Sequence, residues 1–362
     1  MKKTLIALAA LTAIAGVAQA QSTVTLYGVA DVYAGQKSET KRTGTAGLPA
    51  TGTAKLKQTV VDSNGLNTSR FGFRGTEDLG SGLKAIFTME AGLTLDNGAT
   101  SVSNGGGLFS RQAFVGLSGN FGTATLGRQY TAFDALRAGT NNVNDASYFA
   151  TTSNVFGNGV ADYTARASNS FAYASPVYSG FSGAFVLAGG EDKTATVKAS
   201  RNNSFHIKYA NGPLLVGYAY QNEKFNAGST SIASLTPNTA TGDRTYNYFG
   251  GSYDFGVAKV TGGYNTAKQE RSTPAGANGK DKEYQFGVSA PFGAATVAAG
   301  YTRSKSDTTG AKGTGYSLLG TYDLSKRTRL YAGGVNEKYT DNLTVGSTTR
   351  KSGVVAGVRH AF

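Results

Sequence analysis

The chain has 362 residues, among them 50 Gly, 20 Tyr, 19 Phe and 6 Pro, with neither Cys nor Trp. The lack of cysteine excludes a small disulfide-stapled fold and requires a large self-supporting one. The formal net charge of +13 is scattered through strand-like segments without a basic block or basic helix, which argues against nucleic acid as a partner.

The first residues, MKKTLIALAALTAIAGVAQA, read as a secretory signal peptide over 1–20. Lys2 and Lys3 form the basic front, Leu5 to Val17 the short apolar core, and Ala18-Gln19-Ala20 the small-x-small cleavage site. The mature chain is expected to be a single barrel domain over 21–362, with a charge of +11 once Lys2 and Lys3 are set aside. No later stretch is apolar for 18 residues, so transmembrane helices are not expected. The mean hydropathy of −0.24 does not exclude a membrane protein, because a barrel wall alternates an apolar and a polar face.

Alternation begins at once. In TVTLYGVADVYA, Val24, Leu26, Gly28, Ala30, Val32 and Ala34 share one face, while Thr25, Tyr27, Val29, Asp31 and Tyr33 fall on the other. Asp31 is placed as an inward residue of a water-filled barrel. Gln36 to Gly65, rich in Gly, Thr and Lys, reads as a surface loop. Phe71 and Phe73 then point one way, and Arg70, Gly72 and Arg74 the other. On the return strand, Leu83 to Leu95, Lys84, Thr88 and Glu90 share the polar face. Strand, tight turn and strand recur through Ser110–Tyr130, Asn169–Gly190, Asn203–Lys224, Arg244–Lys268, Glu283–Ser304 and Gly315–Lys338, with Ser352–Phe362 as a last segment.

This gives about sixteen strands, in which seven tight turns alternate with eight longer, more polar loops. Loops sorted by end are the pattern of an outer-membrane barrel, and lipid-exposed strands must close on themselves. The expected fold is all-β: a 16-stranded antiparallel transmembrane β-barrel, wide enough for an aqueous channel. Tyr and Phe are expected in two interfacial belts.

One connection stands out. Thr131 to Ala165, about 35 residues, is far longer than a compact domain tolerates without a use for it. Phe133, Leu136, Tyr148, Phe149, Val155 and Phe156 are anchors unlike those of a solvated linker. Asp134, Asp145 and Asp162 lie within it, and Arg128 and Arg166 flank it.

The segments SRFGFRGTEDLGSGLKAIFTME (69–90), FSRQAFVGLSGNFGTATLGRQY (109–130), RASNSFAYASPVYSGF (166–181) and the terminal GVRHAF resemble the trimeric general porins of Gram-negative outer membranes, in particular the beta-proteobacterial branch. The resemblance spans the whole chain. It implies a homotrimer in outer-membrane lipid, passive diffusion of small hydrophilic solutes, and an inward-folded third loop that narrows the lumen. It also implies that Phe362 belongs to the signal read by the barrel-insertion machinery. An arginine cluster that attracts anions is implied at Arg70, Arg111 and Arg166, with Arg74 on the face of Arg70 lining a wider part and Arg128 nearby. From charge alone, Asp134, Asp145 and Asp162 are the candidates for the facing acidic side, although Asp162 could pair with Arg166 instead.

A diffusion pore needs no cofactor, metal or catalytic group. The two histidines, His206 and His360, have no Ser or carboxylate at a spacing that argues a triad, and two lone histidines make a poor metal site. An adhesin would need loops that dominate the mass. The other reading that stays open is a solute-specific outer-membrane channel, which would call for an ordered aromatic track along the lumen.

Overall fold

The computed structural model describes residues 23–43, 52–101, 107–141, 148–157, 159–191, 193–226, 241–273, 278–307, 310–341 and 347–362. The expected leader and Asp145 lie outside the described residues.

The strands are β1 (Thr23–Thr43), β2 (Gly52–Ser63), β3 (Arg70–Gly80), β4 (Leu83–Leu93), β5 (Thr100–Ser101), β6 (Gln112–Gly119), β7 (Gly122–Tyr130), β8 (Arg166–Ala174) and β9 (Phe181–Gly189). They continue as β10 (Arg201–Asn211), β11 (Leu214–Phe225), β12 (Thr241–Asp254), β13 (Lys259–Thr273), β14 (Gly279–Phe292), β15 (Ala295–Ser306), β16 (Lys312–Asp323), β17 (Thr328–Asp341) and β18 (Ser347–Ala361). Two helices, α1 (Ala132–Gly139) and α2 (Thr152–Val155), belong to the long connection.

All the pairings are antiparallel, and β18 returns to β1 with Ala34 opposite Ala356. β1 pairs with β3 through Thr23–Val29 and with β2 through Val32–Thr43, so β2 and β3 occupy one lane of the wall. β5 is only a two-residue bridge at the end of β4. The wall therefore has sixteen lanes and no open edge, as a lipid-exposed sheet requires. At the seam, Gly28 and Phe362 exchange both backbone hydrogen bonds, at 2.9 and 3.1 Å.

The segment expected as a loop over Gln36–Gly65 is instead mostly a regular hairpin, with β1 running to Thr43 and β2 from Gly52. The reason is physical. Period two is legible only where one face is apolar, and most of this hairpin is a ladder of Lys, Thr, Gln and Glu. For the same reason β18 starts at Ser347 rather than Ser352.

Exposed aromatics gather at the tight-turn end: Phe121, Tyr178, Phe255, Phe292, Tyr322 and the terminal Phe362. They form the belt expected at one water–lipid boundary. Wall height is uneven. β6 to β9 have eight or nine residues each, whereas β12, β13, β14, β17 and β18 have 14 or 15. At a tilt of about 40°, nine residues rise roughly 23 Å and fourteen roughly 35 Å.

Asp31 does face inward, but it is fully buried rather than wetted. Its carboxylate accepts the backbone N–H groups of Gly65, Leu66 and Asn67 at 2.7–2.9 Å, and the Tyr331 hydroxyl at 2.6 Å. It ties the break between β2 and β3 to the closing strands. Asp31→Ala strands several buried donors at about 1–3 kcal/mol each. A loss of at least about 3 kcal/mol is expected, read as a lower temperature at which the folded barrel loses its compact electrophoretic mobility.

Candidate functional site

The long connection folds against the inner wall. Thr131 caps α1, its hydroxyl accepting the Asp134 N–H at 3.2 Å. Asp134 in the first turn and Arg137 in the last complement the helix dipole. Phe133 and Leu136, three residues apart, are buried against β10, β11 and β12. The Phe133 ring lies 4.6 Å from that of Tyr163 and about 6 Å from those of Tyr246 and Tyr248. The Ala132 N–H donates to Ser204 Oγ at 3.0 Å, and the Ala132 carbonyl accepts His206 Nδ1 at 2.7 Å. Both members of that anchoring pair come from β10.

Two of the expected loop acids have partners within the loop. Asp134 accepts the Tyr163 hydroxyl at 2.7 Å. Asp162 forms a two-pronged pair with Arg137 at 2.7 and 3.0 Å, so its partner is Arg137 and not Arg166. The Arg137 guanidinium is buried and stacks 4.6 Å from the Tyr163 ring. Burial alone would lower its proton affinity, but Asp162 and Tyr163 outweigh it and raise the pKa well above the ordinary arginine value.

Wall carboxylates that were not anticipated hold the loop's backbone. Asp281 on β14 accepts the N–H groups of Gly159 and Val160 at 2.9 and 2.7 Å. Glu283, two residues on, accepts Gly157 N–H at 2.8 Å. Glu223 on β11 accepts Thr164 N–H at 2.7 Å, and Glu337 on β17 accepts the Asn154 side-chain amide at 3.2 Å. A sequence signal existed. In Lys280-Asp281-Lys282-Glu283 the alternation puts both acids on one face and both lysines on the other.

Glycines make the seat. A Cβ at Gly217 would lie 2.7 Å from Leu136, one at Gly315 2.7 Å from Thr151, and one at Gly333 2.8 Å from the Phe149 ring. The loop packs directly on backbone from β10 round to β18 and β1, where Tyr148 stacks 5.3 Å from Tyr33.

The arginines gather on the remaining wall. Glu90 on β4 is their centre. Its carboxylate takes Arg111 Nε at 2.7 Å, Arg70 Nε at 3.4 Å and the Tyr27 hydroxyl at 3.1 Å. Arg111 also donates to the Tyr130 hydroxyl at 2.7 Å, and Arg166 donates to the same oxygen while its guanidinium lies 4.1 Å from the Tyr130 ring centre. Arg70, Arg111 and Arg166 are thus joined through one carboxylate and one phenol. Arg74 stacks 5.2 Å from the Tyr27 ring. Arg128 donates to the Ser110 carbonyl at 2.6 Å and to Ser168 Oγ at 2.8 Å. Arg74 is exposed and Arg70 half-buried, whereas Arg111 and Arg166 are buried behind them. Five guanidinium groups line this stretch of wall, and two of them share the Glu90 carboxylate. Tyr130 was missed as a partner although it closes the second recognised segment.

A family model described as Gram-negative porin matches residues 7–342. The chain is 33% identical to outer membrane porin protein 32 of Delftia acidovorans over 383 residues, covering all of both chains. It is also 33% identical to an outer membrane porin of Bordetella pertussis over 407 residues, again covering all of both. Among solved structures, an anion-selective porin from Comamonas acidovorans is similar, with a TM-score of 0.75 and 28% identity over 94% of this chain and 100% of that one.

Proposed function

The chain belongs to the Gram-negative porin family, a channel-forming barrel of the outer membrane rather than an enzyme, and on that premise we propose that its lumen prefers anions. The observation that carries this reading is the unequal use of charge on the two walls. On the β11–β17 side, Asp281, Glu283, Glu223 and Glu337 accept hydrogen bonds from the loop. On the other side, Arg70 and Arg111 share Glu90, and Arg74, Arg128 and Arg166 lie on the same stretch of wall. Asp162 is compensated by Arg137, and Asp134 accepts the Tyr163 hydroxyl within the loop. The field across the water-filled gap then favours anions. The similarity to an anion-selective porin supports the same direction. The reversal potential of the purified protein in a KCl gradient tests it: a chloride-preferring sign is expected, and cation preference would overturn it.

We propose further that three copies associate through the low wall of β6 to β9, where Val115, Leu117 and Leu126 are exposed and the strands barely span the hydrocarbon. Residues 1–20 direct export, and Phe362, on the seam beside Gly28, is read by the barrel-insertion machinery.

A further inference from the structure

A separate hollow of about 300 Å³ lies on the inner wall, between the long loop and the strands β1, β2, β17 and β18. Tyr148 and Asn154 of the loop form one side of it, and Leu56 and Val335 give it an apolar floor. Tyr148 is held in place from three directions. Its ring stacks 5.3 Å from that of Tyr33, and its N–H donates to the Gly65 carbonyl at 3.0 Å. Its hydroxyl lies so close to the Gly353 backbone that a Cβ there would collide with it.

Three charges border this hollow. Lys351 on β18 lies directly opposite Glu39 on β1 and directly opposite Glu337 on β17. Glu39 is in phase with Asp31 and Tyr33, so all three charges belong to the inner face. Opposite charges in register stabilise a sheet when they meet. These do not meet. Among the described residues, no ion pair includes Glu39, Glu337 or Lys351. The Lys351 ammonium lies 5.6 Å from the Tyr339 ring centre, and Glu337 accepts the Asn154 amide at 3.2 Å and the Tyr339 hydroxyl at 3.4 Å. Lys37, also at the border, is committed to Asp62 at 2.6 Å. The hollow thus presents two carboxylates with one ammonium between them, their backbones spread over about 10 Å across three strands.

We propose that this hollow binds a free α-amino acid with a cationic side chain, its carboxylate on Lys351, its two cations on Glu39 and Glu337, and its methylene chain over Leu56 and Val335. Charge complementarity selects this class. Two acids and one base match a solute with two bases and one acid. A diamine would bring only like charge to Lys351, and an acidic amino acid would leave a carboxylate unmatched. The position also suits a cationic solute. Val29 pairs with Arg70, and Glu39 lies ten residues further along β1 toward the long loops. That is roughly 25 Å of height away from the arginine wall, beyond the reach of its field at physiological salt.

The test is isothermal titration of the full chain in detergent with L-arginine and with agmatine, which keeps both cations but lacks the carboxylate. Saturable binding of L-arginine is expected, with agmatine weaker by about fivefold, the worth of one half-buried charge pair. Lys351→Gln should bring L-arginine down to the level of agmatine, whereas Lys351→Arg, which keeps the charge, should preserve the difference. Glu39→Gln should weaken both ligands by a similar factor; it is preferred to a change at Glu337, which also holds the loop through Asn154. Compact electrophoretic mobility of each variant confirms a folded barrel. No saturable binding of L-arginine, agmatine bound as tightly as L-arginine by the wild type, or a folded Glu39→Gln protein with wild-type affinities would each overturn the proposal.

Discussion

Neutralising Arg70, Arg111 and Arg166 with Gln is expected to bring the chloride-to-potassium permeability ratio close to unity. A unit charge about 8 Å from a permeating ion in water contributes on the order of 0.5 kcal/mol before screening. Salt at 0.1 M removes about half of that. Three charges together therefore change the ratio by roughly three- to tenfold. The opposite substitution gives the opposite sign. Glu90→Gln leaves Arg70 and Arg111 without their shared carboxylate and should increase anion preference. Reversal potentials of the two variants in one KCl gradient check both arms. If neither moves, selectivity resides at the mouth or in the outer loops, and the wall cluster is only a structural brace.

The second large effect is expected at Asp162. Asp162→Ala removes the partner of a buried guanidinium that cannot readily shed its proton, since its pKa is raised well above the ordinary value. Breaking such a pair from one side costs about 3–5 kcal/mol. That cost falls on the loop rather than on the barrel, because Arg137, Phe133 and Tyr163 pack on one another within it. Single-channel records should show higher unit conductance with added open-channel noise, and limited proteolysis should cut within 131–165 in the variant first. Arg137→Met together with Asp162→Ala should restore much of the lost order, since an apolar replacement leaves no unpaired charge. A quiet Asp162→Ala channel with wild-type conductance would show that the wall contacts alone hold the loop.

Much of the barrel was legible because its physics is periodic. From Thr123 to Lys338 the alternation of an apolar outer and a polar inner residue marks the strands, and turns such as Asn211-Gly212-Pro213 mark their ends. Where both faces are wet, as across most of β1 and β2 beyond Gln36, the period vanishes and the strand reads as loop. The arginine positions were legible only through family resemblance, because each sits in an ordinary strand pattern. The seat of the long loop was not found. Asp281, Glu283 and Glu223 bind backbone N–H groups, which carry no side-chain signature, and those partners lie 59 to 126 residues away in sequence. The charges of Asp134 and Asp162 are legible in the sequence, but the pairing of Asp162 with Arg137, 25 residues away, depends on how the loop folds.

The distances in sequence between the loop and its seat bear on the order in which the molecule forms. α2 rests on β15, β16 and β17, and Asn154 reaches Glu337 across 183 residues of chain. None of those supports exists until the C-terminal third has been threaded and registered. Contacts this remote are entropically late. The loop therefore gains its full seat only once β15, β16 and β17 are in register, and the seam of β1 with β18 joins positions more remote still.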